Sequence, residues 1–182
     1  MNKNKDYISH YKDLFSEQLV EKAKKIKLLA FDVDGVLSDG GIYIDHNGNE
    51  SKRFYAQDGH GIKILQSIGI DVMIISGRSS MCVAKRADEL GIERIIQGSR
   101  NKLQSFHDQN IQLAADEICF VGDDTVDIEL LKYVGLSVIV PNSNYILTKL
   151  EFDWMTPRNG GYGAIRDVCD LIYYSRIISE KS

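Results

Sequence analysis

Leu28-Leu29-Ala30-Phe31-Asp32-Val33-Asp34-Gly35 runs four apolar residues straight into two carboxylates and a glycine. The apolar run has the length and character of a strand buried on both faces, and acids at its end call for a ligand or a cation. Further short apolar runs stand at 72–76, 94–97, 118–122 and 136–140, with a short edge at 152–155. Helical patterns fall between them at about 59–67, 79–90, 102–109, 126–134 and 145–150, and a last one covers 164–178. This alternation predicts an α/β fold with a doubly wound, Rossmann-like parallel sheet. Gly69, Gly91 and Gly135 each follow a predicted helix, where a left-handed cap is wanted. Upstream, Leu14, Phe15, Leu19, Val20, Ala23 and Ile26 share one face of a leading amphipathic helix over 8–26. One stretch breaks the beat: in 40–55, Asn47-Gly48 separates two alternating segments, which predicts a β-hairpin flap over the strand ends.

The 182 residues carry 22 Lys+Arg against 26 Asp+Glu, a net charge of −4, and 43% apolar residues. Such a chain is expected to form one domain over 1–182, with the hairpin too small to fold as a covering domain of its own. The mild acidity speaks against nucleic acid, whose backbone binds clustered cations. No apolar run approaches bilayer thickness, and the polar N-terminus lacks a signal-like core, so no membrane partner and a cytoplasmic location are expected. Cys82, Cys119 and Cys169 are too scattered for a disulfide framework or a zinc site; all three read as structural, with Cys119, inside an apolar run, as a small buried hydrophobe. His10, His46, His60 and His107 show no ligand spacing and read as surface or packing residues.

In a doubly wound sheet the loops leaving the C-terminal strand ends share one edge, where ligands bind. That edge is predicted to collect Asp32 and Asp34, then Ser76-Gly77-Arg78, then Asp123-Asp124-Thr125-Val126-Asp127, with Lys102 opening a helix beside them. Crowded carboxylates raise one another's pKa unless a cation offsets them, and oxygen-only ligands favour Mg²⁺ over Zn²⁺. Donors from Ser76 and Lys102 beside a hard metal are what a phosphoryl group requires. The set points to phosphoryl transfer through a carboxylate nucleophile. Asp58 could equally cap the helix it begins or touch a substrate.

These four clusters, in this order, resemble the motifs of the haloacid dehalogenase superfamily of phosphatases. The resemblance implies Asp32 as nucleophile and Asp34 as the acid that protonates the leaving oxygen and then the base that activates water. It implies Mg²⁺ held by the Asp32 and Asp123 carboxylates and the Asp34 carbonyl, and phosphoryl oxygens held by Ser76, Gly77 and Lys102. Asp124 and Asp127 are implied as supports. Over 26–174, the stretches 32–40, Asp58-Gly59-His60-Gly61-Ile62, Gln97-Gly98, Asn101-Lys102-Leu103 and 160–166 look like the 3-deoxy-D-manno-octulosonate 8-phosphate phosphatase family. That family implies a sugar-acid phosphate substrate, no cap domain, and a homotetramer in which hairpins pack together and a neighbour's C-terminal tail, here 160–182, helps close the site.

Arg78, Asp58, Gly59, His60 and Arg166 are then candidates for substrate contact. Tyr162 and Gln57 depart from the family pattern, since each stands where an arginine is expected. Losing two cations that could meet a sugar-acid carboxylate leaves a nonulosonate 9-phosphate as an alternative substrate. A non-catalytic oligomerising module is the alternative of another class. A receiver-type signalling domain is disfavoured, because here the Asp-x-Asp opens the sheet and the acid pair comes late.

Overall fold

A computed structural model of the chain describes residues 14–179. Its strands are β1 (Leu28–Phe31), β2 (Tyr43–Ile44), β3 (Glu50–Ser51), β4 (Asp71–Ile75), β5 (Arg94–Ile96), β6 (Ile118–Gly122), β7 (Leu136–Ile139) and β8 (Trp154–Met155). Its helices are α1 (Glu17–Ala23), α2 (Ala56–Ser67), α3 (Met81–Leu90), α4 (Lys102–His107), α5 (Ile128–Tyr133) and α6 (Ala164–Ser179).

Six strands form one parallel sheet in the order β5-β4-β1-β6-β7-β8, while β2 and β3 pair antiparallel as a separate hairpin. The chain builds outward from β1 to β5 on one side and then returns to lay β6 against β1 on the other, so the order reverses between β1 and β6. Ligands bind at such a reversal, outside the carboxyl ends of the strands. Alternate side chains of each strand serve opposite faces. Leu29, Phe31, Val72, Ile74, Cys119 and Val121 pack into a core with α1, α2, α3 and α6. Leu28, Ala30, Met73, Ile75, Ile118 and Phe120 pack with Phe106 of α4 and Leu130 and Leu131 of α5.

The α/β sheet and the hairpin match the expectation from sequence, with strand ends differing by a residue or two. The leading helix is shorter than predicted among the described residues. Ser16 caps it, its hydroxyl accepting from Leu19 N–H at 3.3 Å, and Leu14 is 67% exposed. The part of that prediction before residue 14, with His10, lies outside the described residues, as does the tail beyond 179. The helix predicted at 145–150 is a single tight turn, Leu147–Lys149. Gly69 and Gly91 do take left-handed conformations, with φ of 78° and 63°. Gly135 does not: a Cβ there would collide with the Asp116 backbone, so close approach, not chirality, demands the glycine. His107 packs edge-on against Tyr133 at 4.8 Å between ring centroids.

Candidate active site

Register places the acids before any side chain is considered. Phe31 pairs with Ile74 on one side and Val121 on the other, so the residues just beyond them, Asp32, Ser76 and Asp123, leave three adjacent strands at one edge. After Asp32 the chain winds into a wide turn closed by Ser38 N–H to Val33 C=O at 2.8 Å. Gly35 holds that turn with φ 93°, and a Cβ there would run into the Asp123 carboxylate. A side chain at 35 would thus be barred both by chirality and by the neighbouring acid.

Asp32, Asp123 and Asp127 each place a carboxylate oxygen within 4.8 Å of the others. Lys102, 2% exposed at the first position of α4, is the cation among them, with Nζ 2.5 Å from Asp127 Oδ1 and 3.0 Å from Asp32 Oδ1. The contact to Asp127 is a hydrogen bond, and the one to Asp32 an ion pair. Asp127 Oδ2 accepts the N–H groups of Asp123 and Asp124 at 3.0 and 3.1 Å, so both its oxygens are committed. Two oxygens in the cluster accept no hydrogen bond, Asp32 Oδ1 and Asp123 Oδ1, although both are buried.

That leaves a charge imbalance. Burial lifts the Asp32 carboxyl to about 6 against the pull of Lys102, and burial plus the charges of Asp32 and Asp127 lift Asp123 to about 8. Burial alone would lower Lys102, but Asp32 and Asp127 outweigh it and its pKa is raised. With all three carboxylates ionised against one ammonium, two negative charges remain, which one divalent cation neutralises. Orphaned carboxylate oxygens in a group of three aspartates with no His or Cys ligand suit a hard ion such as Mg²⁺, and the residues present therefore fit that group.

The Asp34 carboxylate stays out of this cluster. Its Oδ1 binds the ammonium of Lys52, whose side chain is 0% exposed, and its Oδ2 lies 3.5 Å from Arg78 Nε. Glu50 joins the same knot, 3.3 Å from Lys52 Nζ and 2.9 Å from Arg78 Nη2. Ser76 is buried, and its hydroxyl accepts from Arg78 N–H at 3.2 Å, while Gly77 is exposed beside it. Asp124 is exposed and caps the turn of 125–127, accepting from Thr125 N–H and from the Asn144 amide.

Three predicted substrate contacts are engaged elsewhere. Asp58 is fully buried and its Oδ1 accepts Arg166 N–H at 2.7 Å, so it caps the start of α6. The Arg166 guanidinium donates to Asp170 at 2.7 Å, and Gly59 lies under Arg86 and Leu90. His60 is exposed on α2. Of the two departures, Gln57 accepts from Arg158 at 2.8 Å, and the Tyr162 ring lies under the Arg53 guanidinium at 4.3 Å.

Sequence reading missed Lys52 and Glu50, because a Glu-x-Lys alternation in a polar hairpin arm looks like any solvated strand. It also missed Asn142, whose amide donates to Gly35 C=O at 2.8 Å and accepts Gly160 N–H at 2.7 Å, tying the tail segment to the turn after β1.

Residues 100–165 match the family model for haloacid dehalogenase-like hydrolases. The 3-deoxy-D-manno-octulosonate 8-phosphate phosphatase of Escherichia coli strain K12 is 43% identical over 159 residues, 86% of this chain and 84% of that protein. The crystal structure of the enzyme of that name from Yersinia pestis superposes with a TM-score of 0.87 at 38% identity, covering 91% of this chain and 90% of that one. The Moraxella catarrhalis structure, solved with magnesium, phosphate and KDO, gives 0.85 at 38% identity, covering 92% and 100%.

Proposed function

The chain belongs to the 3-deoxy-D-manno-octulosonate 8-phosphate phosphatase family of haloacid dehalogenase-like hydrolases, and from that premise we propose that it hydrolyses 3-deoxy-D-manno-octulosonate 8-phosphate. The observation that carries the reading is the buried Asp32 carboxylate at the sheet reversal, facing Asp123 and paired with Lys102. In the first step an Asp32 oxygen bonds to phosphorus, the bond from phosphorus to the sugar oxygen breaks, and that oxygen takes the proton of the Asp34 carboxyl. In the second, water passes a proton to the Asp34 carboxylate and bonds to phosphorus, and the bond to Asp32 breaks, releasing phosphate. Ser76, the Gly77 N–H and Lys102 hold the phosphoryl oxygens, and Asp127 holds Lys102. The Asp32 and Asp123 carboxylates and the Asp34 carbonyl would hold Mg²⁺, which when bound would supply charge neutralisation for the incoming phosphoryl group. Arg78, at the mouth of the site beside Asp34, is the cation for the carboxylate of the sugar acid.

The test is Mg²⁺-dependent phosphate release from a panel of octulosonate 8-phosphate, nonulosonate 9-phosphates and simple sugar phosphates, ranked by kcat/KM. Octulosonate 8-phosphate should lead. A nonulosonate 9-phosphate at the head of the ranking would assign the substrate differently and make sense of Gln57 and Tyr162. No turnover of any member, with Asp32→Asn indistinguishable from wild type, would point to a binding module. The same premise supports one domain over 1–182, a cytoplasmic enzyme and a homotetramer. Among the described residues no helix is long and apolar enough to cross a membrane.

A further inference from the structure

A lysine with no exposed side-chain surface is uncommon, and it persists only where its charge is answered. Lys52 follows β3 directly, and its ammonium is answered twice, by Asp34 Oδ1 and by Glu50 Oε1. Both residues after it are tied down. Arg53 donates to Gly161 C=O at 2.8 Å, and Phe54 forms an antiparallel bridge with Ser38, at the end of the turn that carries Asp34. The ammonium is thus delivered from a fixed backbone. The two oxygens of Asp34 are in consequence unequal. Oδ1 takes Lys52 and lies 3.4 Å from the Ser38 hydroxyl, whereas among the described residues Oδ2 has only Arg78 Nε at 3.5 Å, beyond a good hydrogen bond.

We propose that Lys52 is the positioning residue of the acid–base step, fixing Asp34 through Oδ1 so that Oδ2 is the oxygen that gives and takes the proton. This rests on the reading of Asp34 as acid and base. The hairpin is then more than a cover: its returning arm orients a group that acts in both halves of the reaction. A carboxylate pinned at one oxygen presents the other in one direction, which is the kind of alignment whose loss reduces rate without changing affinity.

A double-mutant cycle on the full-length, Mg²⁺-loaded enzyme tests it, with octulosonate 8-phosphate as substrate. Lys52→Met keeps the apolar stem and removes the ammonium; kcat should fall by about 10²-fold, the scale of losing alignment, while KM stays in place. Lys52→Arg, which restores a cation, should recover part of the lost kcat. In an Asp34→Asn background Lys52→Met should cost nothing further, because the group it positions is already gone. Should Lys52→Met not fold, Lys52→Gln is carried through the same cycle. An increase in KM with unchanged kcat would make Lys52 a substrate-binding residue and overturn the proposal, as would losses that multiply in the double mutant or a Lys52→Met enzyme equal to wild type. Asp32→Asn distinguishes the two levels: if it retains full activity, the phosphatase reading itself falls, whereas an inactive Asp32→Asn beside a fully active Lys52→Met removes Lys52 alone.

Discussion

Lys102 is the residue on which the acid cluster most depends, since among the described residues it is the cation that touches both Asp32 and Asp127. Replacing it with Met removes the answering charge from two buried carboxylates, and breaking a buried pair in this way costs ~3–5 kcal/mol. The melting temperature of the metal-free protein should drop accordingly, and Mg²⁺ should restore part of it. A Lys102→Met protein that melts with wild type would mean that the cluster is solvated. Asp123 behaves oppositely. Its carboxyl is held up at about 8 by burial and by Asp32 and Asp127, so Asp123→Asn relieves repulsion in the metal-free fold. The same change removes a ligand. A cation that binds only the native state stabilises it by about 2.7 kcal/mol at a hundred times its Kd. We therefore expect calorimetry to show the Asn variant melting at or above wild type without metal and losing most of the Mg²⁺-induced rise. An undiminished rise would take Asp123 out of the metal site.

Among the elements, the α2–α6 pairing carries a pH dependence that belongs to Asp58. It is fully buried, and burial lifts its carboxyl to about 6 although Arg166 N–H lowers it. Below the ordinary carboxylate range both folded and unfolded chains hold the proton and nothing is lost. As pH rises toward 6 the unfolded chain releases its proton first, so the fold loses stability, up to about 3 kcal/mol by linkage once both states are ionised. Asp58→Asn keeps an oxygen for Arg166 N–H and cannot ionise. It should match or exceed wild type above pH 6, with the difference shrinking between pH 6 and 4 in denaturant titrations. A deficit that appears only above pH 6 would mean that the cap needs its charge. Helix starts like this explain what the sequence could and could not disclose. Strands and crossover helices were legible because Phe31, Ile74 and Val121 belong to apolar runs whose length and spacing are dictated by burial on both faces. Asp32, Ser76 and Asp123 were legible because polar groups at strand ends have few structural uses, and Lys102, which opens a helix, was legible only beside those acids. Asp58 was ambiguous because the same carboxylate can cap its own helix, another helix or a ligand, and only the packing of α6 on α2 decides. Lys52 was silent because its partners, Asp34 and Glu50, are assembled by how the hairpin folds back, not by any spacing in the chain.

At the scale of the molecule, the two arms of the hairpin meet different demands. The returning arm gives Glu50 and Lys52 to the site, and the outgoing arm leaves Ile42, Tyr43 and Ile44 exposed at 50%, 48% and 66%. Three consecutive large apolar residues on one arm of a two-stranded ribbon gain nothing in a monomer, since an isolated hairpin is marginal in water and exposed apolar surface marks interfaces. If hairpins pack against one another in the proposed homotetramer, that surface is removed from water and the ribbon is braced. The bracing reaches the chemistry, because Lys52 is carried on the same ribbon. Ile44→Glu places a charge in the shared surface, and light scattering should show the assembly falling to smaller species. The kcat of the dissociated form should fall with it, as the hairpin loses its support and Asp34 its fixed partner, while melting of the core sheet changes little. A variant that stays assembled would place the interface elsewhere. One that dissociates yet keeps full kcat would show that the ribbon holds Lys52 in place unaided, through the Ser38–Phe54 bridge and the Arg53–Gly161 hydrogen bond.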